Sequence, residues 1–329
     1  MNGISVIIPV YNREPFLGEA IRSVLAQKYA GQLEIIVSDD GSTDRSLDVA
    51  SAFGDRVKVV RKPEGCTAQG ASGTRNRGIA AATQSYVAFL DSDDFYLPDH
   101  LNTMAAALER RPDLGFVFSR VLQMREQDGH RFLASWTRAR LTKRDIANPV
   151  VSGPYVVHTN AFLFRREVFD TVGVFDESYS NGEDGDLWMR ISERCEGAFS
   201  DHYGAVYRMV HGTGQLTNEH RLRECALRLW PAALARYYQL NMSDRFRLFR
   251  LRFTIAVLQR GHGSRLRFAA ALASVLLHHP IYGTEHLGAL TVRRAKGPAH
   301  LKWIEIPPTA DIGVIFEQSL RCCLKSCDR

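Results

Sequence analysis

The stretch Tyr86-Val87-Ala88-Phe89-Leu90-Asp91-Ser92-Asp93-Asp94 decides how this chain is read. Its first five residues form a short, largely apolar run that reads as a buried strand, and the run stops abruptly in a cluster of acids. Working outward, Ile4 to Pro9 reads as a strand. After it, Phe16, Leu17, Ala20, Ile21, Val24 and Leu25 recur at helical spacing, with Pro15 suited to the first turn. Leu33 to Val37 is a second strand, ending in Ser38-Asp39-Asp40-Gly41-Ser42-Thr43-Asp44, and Val57 to Val60 is a third. Gly65 to Thr74 leads into a helix through Ala82; Pro98 to Arg110 reads as a helix and Gly115 to Val121 as a strand. Strands alternating with helices predict an α/β fold, an open and mostly parallel sheet with helices on both faces. In such sheets ligands sit beyond the carboxyl ends of the strands, so the acids at 39–40 and 91–94 are expected to face one crevice.

The chain has 329 residues, 45% hydrophobic and 24% charged, enough for a sizeable core and ordinary for a globular protein. Its net charge of +6 is uneven. Met1 to Gln215 holds 24 Lys/Arg against 28 Asp/Glu, or −4; Leu216 to Arg329 holds 18 against 8, or +10. Between Arg221 and Arg267 there are 11 arginines and two acids, Glu224 and Asp244. This shift places a domain boundary near residue 215, with residues 216–329 expected to be helical and basic. No secretory signal is expected, and the largely apolar stretch Phe268 to Leu277 falls short of the ~20 residues a membrane span needs. The six cysteines form no C-x-x-C pair, which argues against zinc and a disulfide framework and for reduced thiols in the cytoplasm.

Three acidic groups carry the chemistry. Asp91-Ser92-Asp93-Asp94 repels itself unless a cation or a set of donors is present. A hard divalent ion holding a diphosphate fits that arrangement, and a solvated turn is the bland alternative. In Asp39-Asp40-Gly41-Ser42-Thr43-Asp44, Ser42 or Thr43 suits a helix N-cap while Asp40 suits an acceptor for a nucleobase N–H, with Pro9 to Asn12 closing over the base. Glu183-Asp184 opens a helix containing Leu187-Trp188-Met189-Arg190, where a carboxylate either caps or takes a proton from a hydroxyl nucleophile. His211 follows the strand-like run Ala205 to Val210 and reads by itself as a hydrogen-bonded structural residue.

The ordered set resembles family 2 glycosyltransferases. It comprises Ser5-Val6-Ile7-Ile8-Pro9-Val10-Tyr11-Asn12, the 39–44 cluster, Arg75-Asn76, Asp91-Ser92-Asp93-Asp94, Phe164-Arg165-Arg166 to Gly173-Val174-Phe175-Asp176-Glu177, and Glu183-Asp184 with Leu187-Trp188-Met189-Arg190. The resemblance runs from about Gly3 to Thr213. It implies a nucleotide-sugar-binding fold of the GT-A type over residues 1–215, Rossmann-like in its layering. It also implies an inverting sugar transfer from a nucleoside diphosphate donor, first of all a UDP-sugar, to an acceptor hydroxyl on a glycan or lipid-linked molecule, in polysaccharide or glycoconjugate biosynthesis. Implied donor contacts are Pro9, Tyr11, Asn12, Asp40, Arg75, Asp91, Ser92, Trp188 and Arg190. Implied metal ligands for Mn²⁺ or Mg²⁺ are Asp93, Asp91 and His211, with the adjacent Asp94 competing for the place. Asp184 is the implied base, with Glu183 beside it. Glu64-Gly65-Cys66-Thr67-Ala68 replaces the family's usual asparagine-glycine turn.

Two other classes compete. A nucleotidyltransferase would carry a glycine-rich phosphate loop after the first strand, where this chain has Val10-Tyr11-Asn12-Arg13-Glu14 and no glycine before Gly18. A non-catalytic nucleotide-sugar or glycan-binding module would not need Asp91, Asp93 and Asp184 together. No nucleic-acid partner is expected, since the basic part carries no binding motif. That part offers two readings, a helical subdomain with a solvated surface or a peripheral contact at the inner face of a membrane.

Overall fold

The computed structural model describes residues 1–66, 70–127, 130–135, 158–179, 182–209 and 304–306. The expected boundary near residue 215 and His211 lie outside these residues, as does the basic region 216–329 apart from 304–306, which form a strand of the sheet.

The first strand, β1 (Ile4–Val10), is buried along nearly its whole length, with Ile4, Val6, Ile7 and Ile8 fully enclosed. A strand covered on both faces needs this unbroken apolar run, and not an alternating one. Helix α1 (Glu14–Leu25) follows, with proline in its first turn, and buries Leu17, Ala20, Ile21 and Val24, the stripe its spacing predicts. β2 (Leu33–Asp39), the short α2 (Ser46–Ser51), β3 (Val57–Arg61), α3 (Gly70–Ala81) and β4 (Tyr86–Phe89) complete the first half. β1 pairs in parallel with both β2 and β4, and β2 with β3.

The second half adds β5 (Phe95–Tyr96), α4 (His100–Arg110), β6 (Leu114–Gln127), β7 (His130–Ser135), β8 (Phe162–Arg165), α5 (Glu167–Val172), α6 (Glu183–Arg194), β9 (Glu196–Met209) and β10 (Ile304–Ile306). The sheet order is β10-β7-β6-β8-β4-β1-β2-β3, with β9 beside β6 and β5. β8 runs antiparallel to both β4 and β6, and β9 runs parallel to β6. Most strands therefore share one direction, as expected for the α/β class. The 14-residue strands β6 and β9 and the hairpin partner β7 extend well beyond what the apolar runs announced.

Two packing features position the site. Gly78 brings α3 so close to β1 that a Cβ there would stand 2.3 Å from Ile7 Cγ2. Only a residue without a side chain permits that approach. Across the sheet, Phe162 and Phe164 of β8 stack on Trp188 of α6, with ring centroids 4.2 and 5.2 Å apart. Each such ring removed from water contributes on the order of 1.5–3 kcal/mol. Together they fix the start of α6 against the carboxyl end of the sheet.

Candidate active site

At the end of β1, Tyr11 is 54% exposed while its neighbour Val10 is buried, so the ring stands over the crevice edge. Asn12 adopts a left-handed backbone (φ 51°), and its side-chain Oδ1 accepts from the Thr43 and Asp44 amides at 2.8 and 3.3 Å. Its own amide donates to Ser42 Oγ at 3.0 Å. Asn12 therefore welds the two loops together. Ser42 serves this weld, and the expected capping role falls to Asp44. The Asp44 carboxylate accepts from the Ser46 amide at α2 and from the Glu14 amide at α1, both at 3.0 Å. Burial works against its ionisation, yet the Ser46 hydroxyl and these amides hold the carboxyl below its ordinary range.

Asp39 and Asp40 divide their labour. Asp39 is buried and accepts from the amides of Gly41 and Ser42, shaping the turn. Asp40 accepts from Arg77 Nη2 at 3.0 Å and the Gly70 amide at 2.8 Å, with Lys62 Nζ 3.8 Å away. Asp40 thus already faces two cations, neither of which the motifs pointed to.

The acid loop is more tightly built. Leu90 donates its amide to Ile7 O, and the Asp94 amide closes a turn on Asp91 O at 3.0 Å. Asp94 is 1% exposed; its two oxygens accept from the Arg208 amide at 2.7 Å and from Asn160 Nδ2 at 2.6 Å. The other end of the Asn160 side-chain amide, Oδ1, accepts from the Asp91 N–H at 2.9 Å. One fully buried side chain therefore spans both acids. The Asn160 backbone N–H donates to His158 Nδ1. Burial, then the nearby charges of Asp93 and Asp91, push the Asp94 carboxyl well above its usual range. Burial also lowers His158, so its imidazole stays neutral. Ser92 is buried.

Ligand atoms of Asp91, Asp94 and His158 lie within 4.8 Å of one another. Two hard carboxylates and a neutral imidazole suit Mn²⁺ or Mg²⁺, and the Asn160 side chain orients the Asp94 carboxylate as an outer-shell partner would. Of the expected set Asp93, Asp91 and His211, this candidate group contains Asp91, and His211 lies outside the described residues. Asp93 turns instead to Arg13, whose Nε is 3.3 Å from Asp93 Oδ2. His158 and Asn160 were not foreseen. They lie on a short 3-10 turn 67 and 69 residues after Asp91, and no local spacing connects them to it.

Arg75 closes the third side. Its guanidinium is buried and bridges Asp91 Oδ1 and Glu183 Oε1, each at 2.8 Å, beneath the Phe175 ring. Arg75, an expected donor contact, here bridges the acid loop and the start of α6. Both carboxylates hold its charge on against the cost of burial. Asp91, despite burial, is correspondingly lowered by Arg75 and His158. Beside the bridge, burial and the charge of Glu183 push Asp184 up to about 6, opposed by Arg75 and the Gly185 amide. A carboxyl poised there can take up a proton near neutrality.

Two further residues take structural places. Trp188 is 2% exposed, its ring packed in the aromatic stack. Arg190 pairs with Asp186 and donates to the carbonyls of Val172 and Val174. Asn76, by contrast, pins the 175–177 loop through Phe175 O and Glu177 Oε1, both at 2.9 Å.

A parallel-strand sheet with acids and a candidate cation site at its carboxyl edge defines a nucleotide-sugar-transferase architecture of the GT-A type. The sequence profile of glycosyl transferase family 2 matches residues 5–173, and the chain belongs to that family. An uncharacterised glycosyltransferase of Rickettsia typhi is 31% identical over 218 residues, covering 65% of this chain and 66% of that one. A Haemophilus influenzae glycosyltransferase is 44% identical over 98 residues, 30% of this chain and 39% of the relative. The chain thus spans less than two thirds of these relatives. Among solved structures, Staphylococcus aureus TarS 1-349 in complex with UDP-GlcNAc matches with a TM-score of 0.51 at 18% identity, over 88% of this chain and 76% of that one. The mannosyltransferase PcManGT of Pyrobaculum calidifontis, in complex with GDP-Man and Mn2+, matches with a TM-score of 0.52 at 17% identity, over 85% and 81%. These likenesses establish the fold, and the family supports sugar transfer.

Proposed function

We propose that this protein transfers a sugar, with inversion, from a nucleoside diphosphate donor to an acceptor hydroxyl of a glycan or lipid-linked molecule, in polysaccharide or glycoconjugate synthesis. The observation that carries the reading is the Arg75 bridge, which fastens Asp91 of the acid loop to Glu183 and so sets Asp184 beside it. The base rests on Tyr11 with Pro9 beneath it, and Asp40 faces its N–H. A UDP-sugar is the first donor to test, by likeness to the TarS complex.

The acceptor hydroxyl loses its proton to Asp184 as its oxygen attacks the anomeric carbon from the face opposite the diphosphate. One displacement inverts the configuration. Asp91, Asp94 and His158 would hold a divalent cation, whose chemistry is to neutralise charge developing on the leaving diphosphate. Residues 1–215 form the catalytic domain, and residues 216–329 serve the acceptor, a membrane surface or subunit contact.

A thermal-shift screen of UDP-, GDP-, dTDP- and CDP-sugars, each with and without Mn²⁺, tests the donor. Stabilisation by one donor family, strengthened by the metal, is expected; indifference to all four ends the nucleotide-sugar reading. With a working acceptor, a product that retains the donor's anomeric configuration would refute single displacement. Binding without turnover would leave the non-catalytic module.

A further inference from the structure

The residue between the base-side loop and the acid loop is Arg13. Its Nε approaches Asp93 Oδ2 at 3.3 Å and its Nη1 donates to Asn12 O at 3.1 Å. Among the described residues its Nη2 makes no hydrogen bond, and the side chain is 21% exposed. Arg13 has Asn12 on one side, locked to the 42–44 loop, and Asp93 on the other. A donor with its base on Tyr11 and its diphosphate toward Asp91 must cross this seam.

The charges make the position consequential. Asp91 is paired with Arg75 and Asp93 with Arg13, so each carboxylate of the D-x-D pair already faces a cation. A divalent ion entering alone would meet two guanidinium groups, and repulsion between close unscreened charges is substantial even at an effective dielectric near 20. A diphosphate brings the compensating negative charge. Guanidinium is well suited to phosphate oxygens, and the exposed part of Arg13 already lies on the donor's path.

We propose that Arg13 is an internal cation that occupies Asp93 in the free protein and transfers to the donor diphosphate on loading. Asp93 is thereby released to join Asp91, Asp94 and His158 around the divalent ion, and metal and donor binding are coupled. This rests on the donor reading above, and one arm of its test is independent of it. Arg13→Gln removes the competitor, so the affinity for Mn²⁺ alone should rise, about tenfold for a coupling of ordinary size. The same change should weaken binding of UDP or GDP in saturating Mn²⁺ by a similar factor.

Titration calorimetry with Mn²⁺ alone, then with UDP and with GDP, reads both effects on wild type, Arg13→Gln and the charge-conserving Arg13→Lys. The double variant Arg13→Gln/Asp93→Asn should lose the gain in Mn²⁺ affinity, because the released ligand is gone. A loss of fold would weaken every ligand together, so opposite signs for metal and nucleotide are the signature. Unchanged or weaker Mn²⁺ binding in Arg13→Gln overturns the proposal. If wild type binds neither nucleotide, the donor reading fails, while the Mn²⁺ arm still decides whether Arg13 competes for Asp93.

Discussion

Asp184 and Glu183 occupy successive positions at the first turn of α6, yet their surroundings separate them. Glu183 is committed to Arg75 at 2.8 Å, whereas among the described residues Asp184 accepts only its neighbour's amide. The free acceptor capacity therefore belongs to Asp184. With its pKa pushed up to about 6, it carries a proton below that pH and can accept none. Turnover at saturating donor should fall by about tenfold for each pH unit below 6, and level off above it. Removing the Glu183 charge relieves the repulsion that raises Asp184, so Glu183→Gln should move this limb to lower pH. Asp184→Asn should keep donor affinity and lose ~10²–10⁴ in turnover, a loss far beyond that of a helix cap. Near wild-type turnover in Asp184→Asn with loss in Glu183→Gln would hand the role to Glu183. The Glu-Asp pair was legible because it is contiguous. The amide of Asn160, which spans Asp91 and Asp94, was not, because its importance exists only after β8 docks between β4 and β6.

Elements explain why these side chains meet. α3 delivers Arg75, Asn76 and Arg77 to the crevice only because Gly78 lets it lie against Ile7. Gly78→Ala should lower the unfolding free energy by about 1–3 kcal/mol, the usual cost of overpacking, and urea denaturation would measure it. An unchanged midpoint would show that β1 and α3 yield without cost. At the other edge, one carboxylate caps two helices: Asp44 serves the first amides of both α1 and α2. Asp44→Ala should cost about 1 kcal/mol at neutral pH. Because folding depresses this pKa, the contribution is present above the unfolded carboxyl's ordinary value and lost as pH falls through the folded one. The gap between variant and wild type should therefore close as the pH falls below the ordinary carboxyl range, and a constant gap would argue for packing instead. Alternation of strands and helices over the first 110 residues could be read from apolar spacing. The reach of β9 back to Glu196 could not, since its first half, Glu196 to His202, is part-exposed or exposed and its apolar signal begins only near Tyr203.

At the scale of the whole molecule, the chain is acidic where the sheet builds its crevice and basic beyond residue 215. Among the described residues no helix is long and apolar enough to cross a membrane. We propose that the basic region meets an anionic surface, each exposed arginine contributing on the order of 1 kcal/mol. The full chain should then co-sediment with vesicles containing phosphatidylserine at low salt and be released at high salt; recovery in the supernatant at low salt would end that idea. The aromatic stack against β8 has a consequence in the ultraviolet. Trp188 is one of four tryptophans in the chain, and its ring lies flat on Phe162 and Phe164. Its indole nitrogen has no hydrogen-bond partner among the described residues. An indole so enclosed emits at the short-wavelength end of its range, and the emission moves red when water reaches it. Its helix begins with Glu183 and Asp184, so the wild-type minus Trp188→Phe difference spectrum reports locally on the segment that carries the base. Emission that shifts before the bulk of the fold is lost would mean that this segment loosens first.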